Sequence, residues 1–326
     1  MDHVQREPTA IDGVPPPAAI TPALAHYTGY LLRRAYARAR DCAQRLLPPG
    51  THPGEGAILL ALTQLGPASQ QELSDRLRVN RTIMVKLVDK LESGGLVRRE
   101  RNPRDRRSYA LTVTPGGLQA VRAWEPTIER GEAELVAPLD SGERRRLHQL
   151  LLRLVPDLAT AAPRSLTKRN GFLLSQAHFR LRERGDRALA PLGVEPRGFA
   201  ALAVLDLEGP SPQRGVARQL GVSGPTMVQT MDKLERAGLV ERQRNPSDRR
   251  EYALRLTDAG RERLHRARQA LDAVQSEVTA QLGEADDREL RALLAKLVMA
   301  PPAPAAQTAR PRRGPAATGA GGTARP

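Results

Sequence analysis

A basic segment occurs twice in this chain, and this repeat constrains the fold more than any other feature of the sequence. Residues 96–111 return as residues 239–254, at an offset of 143, and both copies contain Asn-Pro followed by Asp-Arg-Arg. Aligning 55–117 with 198–260 needs no gap and gives 29 identities in 63 positions. The period is too long for a solenoid unit, so the sequence predicts a duplicated domain.

The length agrees with two domains. A chain of 326 residues accommodates two units of about 140 residues, each long enough to bury its own core. We predict domain 1 over 23–158, a short linker without an apolar face over 159–168, and domain 2 over 169–299. The Pro/Gly/Ala-rich ends, an arm over 1–22 and a basic tail over 300–326, are predicted to be disordered.

The charge points to a polyanionic partner. The net charge is +15 and the sequence pI is about 11.0, and most of the positive charge is arginine. Arginine has the fork geometry for bidentate contacts to phosphate and guanine. Alternatively, the arginine content reflects a genome that uses arginine for most basic residues. That explanation does not account for the clustering of the arginines.

The sequence also indicates where the protein works. The single cysteine, Cys42, rules out an internal disulfide framework and suits a reducing compartment. Residues 1–22 lack an apolar segment behind a basic start, and no apolar run approaches the ~20 residues of a membrane span. We therefore expect a soluble, cytoplasmic protein without a membrane partner.

Each copy is predicted to be mostly helical. In copy one, Ser69-Gln70-Gln71-Glu72 is a capping box for a short helix to about 78, and Asn80 caps the next helix, which runs to 93. In copy two, Ser211 and Ser223 are the predicted caps, each with a proline in the first turn. The other predicted helices cover roughly 23–47, 55–65, 114–137, 141–156, 257–282 and 284–299. This order predicts a mainly α fold with small β-wings, two tandem winged helix-turn-helix domains with long flanking helices.

The second short helix of each copy is the predicted recognition helix. Apolar side chains at 84, 88 and 91, and at 227, 231 and 234, must bury against the domain. The opposite faces are then free to read base edges near the helix N-terminus. The candidates are Arg81, Thr82, Ile83 and Lys86 in copy one, and Pro225, Thr226 and Gln229 in copy two. Ile83 is an odd group to expose to base edges, so copy one is expected to bind more weakly.

The hairpin that follows is the predicted wing. Pro fixes φ, and Asn and Asp bond their own backbone, which together make a turn. Arg106 and Arg249 are predicted to enter a narrow minor groove, where the negative potential is enhanced. Asp105 and Asp248 would hold the neighbouring arginines, which include Arg107 and Arg250. The arginines predicted to face phosphates are Arg99, Arg101, Arg242 and Arg244.

Both copies resemble the MarR family of bacterial winged-helix transcription regulators. The residues that carry the resemblance are 88–97, 105–107 and 111–117 in copy one, and 231–240, 248–250 and 256–260 in copy two. The resemblance implies that Arg106 and Arg249 insert into DNA, and that positions 82, 83 and 86 and their counterparts contact the major groove. It also implies dimerisation through the first and last helices of each domain.

The chain departs from this family in holding two domains, because members usually pair as homodimers on a palindrome. We predict a monomeric chain that folds as an intramolecular pseudo-dimer on double-stranded DNA, with a homodimer of chains as the alternative. Palindromic sites mirror two-fold protein symmetry. Because the two recognition faces differ, the two half-sites should differ too.

A small aromatic effector is a further expectation, because regulators of this family commonly bind aromatic acids beside the dimerisation helices. The candidate ligand residues are Tyr27, Tyr30, Trp124, Phe172 and His178, although aromatics on a helical face are more often core. Cys42 is expected to be inert, since nothing in the sequence places a cation or a second thiol beside it. We expect no enzyme, no metal site and no cofactor, because phosphate loops, nucleophile elbows and zinc spacings are missing.

Two other functions stay open at this stage. A sequence-indifferent architectural DNA binder would show steep salt dependence but little discrimination between sites. A ligand-binding protein with one impaired DNA-binding copy would have lost wing arginines, and both wings keep theirs.

Overall fold

The computed structural model describes residues 19–102, 105–244 and 252–301, without the side chains of 102, 105–108, 159 and 244. Copy one begins with a 3-10 turn, Pro22–Leu24, and holds six longer helices and a three-stranded sheet. In chain order its elements are α1 (Thr28–Leu46), α2 (Pro53–Leu65), β1 (Ala68–Ser69), α3 (Gln70–Leu77), α4 (Arg81–Ser93), β2 (Val97–Asn102), β3 (Asp105–Val113), α5 (Pro115–Val136) and α6 (Ser141–Leu154).

Two short helices, α7 (Leu158–Ala161) and α8 (Arg164–Thr167), connect the copies. Copy two repeats the order of copy one and adds a 3-10 turn, Ala190–Leu192, after its first helix. Its elements are α9 (Asn170–Leu189), α10 (Pro196–Glu208), β4 (Ser211–Pro212), α11 (Gln213–Leu220), α12 (Gly224–Arg236), β5 (Val240–Arg244), β6 (Tyr252–Leu256), α13 (Asp258–Leu282) and α14 (Glu284–Met299).

The two sheets have the same topology and the same register. Their strand orders are β1-β3-β2 and β4-β6-β5, and all pairs are antiparallel. Arg99 lies opposite Leu111 in copy one, and Arg242 lies opposite Leu254 in copy two. Both copies therefore place their wing strands in the same sheet topology, and the predicted mainly α, winged helix-turn-helix fold is confirmed.

Local sequence signals explain where the recognition helices begin. The predicted capping box at Ser69 and Glu72 is present, with reciprocal backbone hydrogen bonds of 3.1 and 2.7 Å. Asn80 accepts a hydrogen bond from Thr82 N at 2.8 Å, and Ser223 accepts one from Thr226 N at 3.4 Å. These caps fix the first turns of α4 and α12, from which base-reading side chains would project.

The turn between the two short helices shows one difference between the copies. Gly221 closes α11 in the left-handed region at φ 61°, where a glycine costs nothing. The matched position in copy one is Arg78, at φ 47°, the one described non-glycine residue with positive φ. A left-handed arginine is strained by about 1 kcal/mol. Its guanidinium is held by Asp157, close to the chain's passage to copy two.

Two hydrophobic clusters form the interior. The smaller one fills the winged-helix part of copy one and includes Leu59, Met84 and Leu111. The larger one is shared by both copies, because it joins Leu31 and Leu150 of copy one to Leu174 of copy two and continues into the second winged helix. In the shared cluster α1 packs against α9 and α14, and α6 packs against α9, α13 and α14. The two copies are therefore held together by a common core.

Several sequence expectations need correction. The N-terminal arm was predicted to be disordered through 22, but Thr21 is buried and its N–H donates to Tyr30 Oη at 3.1 Å. The linker was predicted to lack an apolar face, but it forms α7 and α8 and buries Leu166 in the core of copy one. Ser211 is a strand residue rather than a cap, and its hydroxyl donates to Gly209 O at 3.1 Å.

The lengths and hydropathy of the helices in the described residues bear on a membrane location. Among them, no single helix is both long and apolar enough to cross a bilayer, while the bent pair Asn170–Leu192 and Pro196–Glu208 passes by length and composition alone. Within the same described residues, no group of three or more His, Cys, Asp or Glu side chains could hold a metal ion.

Candidate nucleic-acid interface

The outward face of α4 is polar and basic. Arg81, Thr82 and Lys86 are exposed, as the sequence predicts, and the buried face carries Met84, Leu87, Val88 and Leu91. Ile83 differs from its prediction, because it is half-buried and packs against the core of copy one. It is therefore a poor candidate for a base contact, and it gives no reason for weaker binding by copy one.

The same face of α12 is not basic at the matched positions. Pro225 and Gln229 are exposed, at the places of Thr82 and Lys86, and Gly224 takes the place of Arg81. Thr226 is half-buried, and its hydroxyl lies 2.8 Å from Ser223 Oγ. Each helix is capped by a side chain at its start, but copy two carries no cation at the positions of Arg81 and Lys86.

One exposed residue on each recognition helix was missed by the sequence reasoning. Val85 on α4 is 38% exposed and Val228 on α12 is 42% exposed. They occupy matched positions, 143 residues apart. A signal for them was present, since valine is retained in both copies at a position that the helical periodicity places outside the core.

Arg99 and Arg242 are tied to the recognition helices. Arg99 Nη2 donates to Asp89 at 2.7 Å and a second nitrogen pairs with Glu92. In copy two, Arg242 pairs with Asp232 at 2.7 Å and with Glu235 at 3.0 Å. Two carboxylates already neutralise each guanidinium, which argues against the predicted phosphate contact. The arrangement instead fixes the first wing strand to the recognition helix.

The wings are described only at their bases. Arg101 is exposed, and each second strand begins its described part with an exposed tyrosine, Tyr109 at 59% and Tyr252 at 56%. A cleft of about 290 Å³ lies between α3, α4 and the wing base of copy one, and its lining includes Arg81 and Tyr109. The other predicted wing residues lie outside the described residues or have undescribed side chains: Asp105, Arg106, Arg107, Arg244, Asp248, Arg249 and Arg250.

The structure does not bring the predicted ligand residues into one group. Tyr27 is buried, packs edge-on against Phe199 and donates to Asp272 at 2.9 Å. Trp124 packs against the core of copy one, and Phe172 packs against both cores. Tyr30 is buried against Thr21. These four are core residues.

His178 is also buried, and it lies where the first helices of the two copies, α1 and α9, meet. Its ring stacks on Tyr36 of copy one with centroids 4.8 Å apart and planes 17° apart. Burial, together with the nearby charges of Arg33 and Arg182, lowers the pKa of His178 to about 3. His178 is therefore neutral at physiological pH, and it lies between rings and guanidinium groups.

Cys42 lies in a different environment from the one expected. It is buried, and Arg45 Nη2 lies 3.6 Å from its sulfur, although the sequence gave no sign of a cation beside it. Burial nevertheless outweighs the arginine and raises the pKa of the Cys42 thiol. A buried thiol with a raised pKa holds less of the reactive thiolate, and the inertness of Cys42 stays a prediction.

The fold and its two exposed helix faces define a winged helix-turn-helix regulator. The MarR family model matches residues 52–109, and a second model of the same family matches residues 192–251. A transcriptional regulatory protein assigned to the hcr operon of Thauera aromatica is 36% identical over 128 residues, which cover 39% of this chain and 77% of that protein. The chain belongs to the MarR family, and it is a DNA-binding transcriptional regulator of the MarR type with two tandem domains.

Other relatives also match over the length of one copy. The repressor NicR of Pseudomonas putida is 29% identical over 39% of this chain and 81% of its own length. A repressor of Mycobacterium tuberculosis is 32% identical over 39% of this chain and 91% of its own. Among solved structures, the repressor CouR bound to a 23-mer DNA duplex is 34% identical and covers 41% of this chain and 95% of its own, with a TM-score of 0.40.

Proposed function

We propose that one chain acts as an intramolecular pseudo-dimer that represses transcription by binding an imperfect palindrome. The observation that carries the proposal is the shared core, which pairs the first and last helices of copy one with those of copy two. Contacts across this core recur in matched pairs, as they would across a two-fold axis. A two-fold arrangement would offer both recognition helices to half-sites about one helical turn (~34 Å) apart.

The first helices meet near the pseudo-two-fold axis. Aligning α1 with α9 at an offset of 142 makes Tyr36 the counterpart of His178, and these two rings stack on each other. Residues that contact their own counterparts lie on a two-fold axis. The stack therefore supports an isologous pairing of the copies.

The N-termini of these helices are satisfied from the opposite copy. Thr28 N at the start of α1 donates to Gln275 of copy two at 2.8 Å. Asn170 N at the start of α9 donates to Glu132 of copy one at 2.6 Å. Gln275 and Glu132 are counterparts at an offset of 143, so each copy supplies the same cap to the other.

The last helices exchange ion pairs in the same reciprocal way. Lys296 lies 2.6 Å from Glu143, and the counterparts of these residues, Arg153 and Asp286, form the second ion pair. The hydrogen bond from Lys296 lowers the pKa of Glu143, and the one from Arg153 lowers the pKa of Asp286. The two ion pairs therefore join equivalent positions. In both pairs the basic residue occupies the position of 153 and 296, and the acidic residue the position of 143 and 286.

A third pair favours contact between unlike copies. Arg146 Nε donates to Glu289 at 2.7 Å, and these two residues are each other's counterparts. Pairing copy one with a second copy one would set arginine against arginine at this place, and pairing copy two with copy two would set glutamate against glutamate. Like charges at an interface select against the wrong partner. The charges therefore support pairing of copy one with copy two.

The differences between α4 and α12 support unequal half-sites. The half-site under copy one would be read by Thr82 and Lys86, and the one under copy two by Gln229 beside Pro225. Lysine favours guanine, whereas glutamine forms a bidentate pair with adenine. Wing insertion by Arg106 and Arg249 remains part of the proposal, on the sequence evidence alone.

A small aromatic acid is the proposed releasing ligand. The stacked rings of Tyr36 and His178 lie between the copies, and Arg33 and Arg182 act electrostatically on His178 from nearby. An aromatic carboxylate matches both features, because its ring would stack and its charge would meet the guanidinium groups. Hydroxybenzoates should release DNA from the protein, and His178→Leu should weaken that response without changing binding to DNA alone.

Site selection from random DNA tests the unequal half-sites. The wild-type chain should select two adjacent half-sites with different sequences. The variant Thr82→Pro/Lys86→Gln, which gives α4 two of the exposed residues of α12, should select a more symmetric site. Selection of a perfect palindrome by the wild-type chain, or no change in the variant, would contradict the proposal.

A further inference from the structure

Each recognition helix exposes an apolar side chain. In the described part of the chain, the large exposed apolar side chains include two matched pairs, Val85 with Val228 and Tyr109 with Tyr252. Both pairs lie on the proposed DNA surface, on the recognition helices and at the bases of the wings. A single exposed valine needs no explanation. Valine at the matched position of both copies, on faces that otherwise differ, does need an explanation.

The position of these valines places them among the base-reading residues. Val85 is the fifth residue of α4, between Thr82 and Lys86 on the outward face, and Val228 is the fifth residue of α12. The N-terminal half of a recognition helix is the part that reaches base edges. Asp89 lies one turn further along α4, and its hydrogen bond from Arg99 of β2 marks the side of the helix that faces the wing.

Stability of the helix alone does not account for valine at this position. A β-branched side chain loses rotamer freedom in a helix, so valine is a poorer helix former than alanine, lysine or glutamine. Both valines are about two-fifths exposed, so core packing does not fully compensate for this cost. The neighbouring positions, Thr82 and Lys86 in copy one, carry different residues in copy two, so this face accepts more than one set of side chains.

We propose that Val85 and Val228 each contact the C5-methyl group of a thymine in the major groove. The C5-methyl is the apolar group among the base edges of that groove, and apolar side chains recognise it by contact. The two half-sites should therefore share a T·A pair at one position, although their neighbouring positions differ. This inference rests on the proposed binding of both half-sites by one chain.

Replacing thymine by deoxyuridine tests the contact, because it removes the methyl group and leaves the hydrogen-bonding edges unchanged. The full chain is titrated with its selected site, in which deoxyuridine replaces thymine at one position at a time. One position in each half-site should weaken binding about three- to fivefold, the value expected for one buried methyl group. Replacing both should weaken binding by roughly the product of the two effects.

Alanine variants assign each methyl group to its valine. Val85→Ala should lose the sensitivity to deoxyuridine in the half-site of copy one and keep it in the half-site of copy two. Val228→Ala should show the reverse, so each variant is the matched control of the other. Both side chains are exposed, so both variants should fold, which the thermal unfolding midpoint would verify. Lys86→Ala is the second control, because it should weaken binding equally to both forms of the site.

The outcomes separate this inference from the proposed function. Site-specific binding without any effect of deoxyuridine, or with the same effect in wild type and Val85→Ala, would overturn the methyl contact and leave the proposed function standing. An effect in one half-site alone would overturn the claim of a shared T·A pair. Absence of site-specific binding would overturn both.

Discussion

The outward faces of the recognition helices and the faces that join the two copies have diverged in different ways. On the outward faces, Arg81 and Lys86 of copy one stand where copy two has Gly224 and Gln229, so the two surfaces can read different bases. On the joining faces, Arg146 stands where copy two has Glu289, and these two residues form a complementary contact. A homodimer keeps both faces identical by necessity. A duplicated chain is free to specialise each face, and the contrast suggests that it specialised them for different tasks.

Two interior glycines, in contrast to these faces, are identical in the two copies. Gly117 and Gly260 occupy matched positions at the start of α5 and α13, and an added Cβ would lie 2.1 Å from Leu96 O and 2.0 Å from Leu239 O. The backbone approach that places the wing against the long helix therefore allows glycine alone in both copies. Substitutions at matched positions therefore test where the two copies are equivalent in stability and DNA binding and where they differ.

The largest expected effect is a loss of stability when either glycine is replaced. Gly117→Ala and Gly260→Ala should each cost at least about 3 kcal/mol, since the clash is with backbone atoms that do not move easily. Chemical denaturation measures the free energy of unfolding. Because the two copies share a core, both variants should shift one common transition. Gly224→Ala is the control, because nothing lies within 4 Å of its added Cβ, and it should have little effect. Two separate transitions would show that the copies unfold independently.

Acid should destabilise the protein through His178. The pKa of this residue is lowered to about 3 in the folded state, against about 6.5 in the unfolded chain, so the unfolded chain binds the proton between these values. Its contribution is present above pH 6.5 and is lost as the pH falls, by about 3 kcal/mol between pH 6.5 and 4.

The control for this pH effect is His178→Phe. Phenylalanine keeps a ring for stacking on Tyr36 but does not titrate, so the variant should lose stability less steeply over the same pH range. Urea denaturation of both proteins at several pH values would measure the two slopes. Equal slopes would mean that His178 is not responsible.

The cross-copy side-chain hydrogen bond at Asp287 should matter more to stability than the contacts of the residue at the matched position, Arg144. Asp287 is 1% exposed and accepts hydrogen bonds from Thr28, at 2.7 Å, and from Gln275, at 2.9 Å. Asp287→Ala leaves these donors unpaired and should cost about 2 kcal/mol of unfolding free energy. The counterpart Arg144 bonds carbonyl groups of its own copy, so Arg144→Ala should cost less. A larger loss for Arg144→Ala in denaturation experiments would reverse this ranking.

Lys86 and Gln229 should contribute to binding in different ways. Lys86→Ala should weaken binding about tenfold and reduce the slope of log affinity against log salt by about 1 if the ammonium group meets a phosphate, and leave the slope unchanged if it meets a base. Gln229→Ala should weaken binding without changing the salt slope, because glutamine is neutral. Fluorescence anisotropy at four salt concentrations would measure both. A changed slope for Gln229→Ala would contradict the difference between the two faces.

The smallest expected effect comes from the exposed pair of Arg146 and Glu289. Glu289→Arg sets two arginines against each other and should lower the unfolding midpoint by about 1–2 °C, more at low salt. Adding Arg146→Glu restores opposite charges with the direction reversed and should recover part of the loss. A double variant less stable than the single one would contradict the proposed preference for unlike copies.

The sequence was sufficient for the parts of the fold that repeat. The duplicated wing, the caps at Ser69, Asn80 and Ser223, and the buried faces of α4 and α12 all follow from local signals that act within a few residues. The predicted family and architecture are confirmed on this basis. The base-reading residues and the wing contacts stay predictions.

Where the sequence reasoning was incomplete, the decisive contacts join distant parts of the chain. The carboxylates that hold Arg99 come from α4. Leu166 is buried by the core of copy one, which the sequence of the linker does not reveal. Ile83 packs against the same core because of the orientation of α4. The pairing of Arg146 with its counterpart Glu289 also needs the tertiary arrangement of the copies. Val85 alone could have been found earlier, by asking which exposed positions the repeat retains.

The mass of the protein on its DNA site tests the central claim most directly. Light scattering of the free protein and of its complex with the selected site would give the number of chains per duplex. The account predicts a 35.6 kDa monomer in solution and one chain covering both half-sites, with a footprint that differs between them. Two chains on one pair of half-sites would contradict the intramolecular pseudo-dimer.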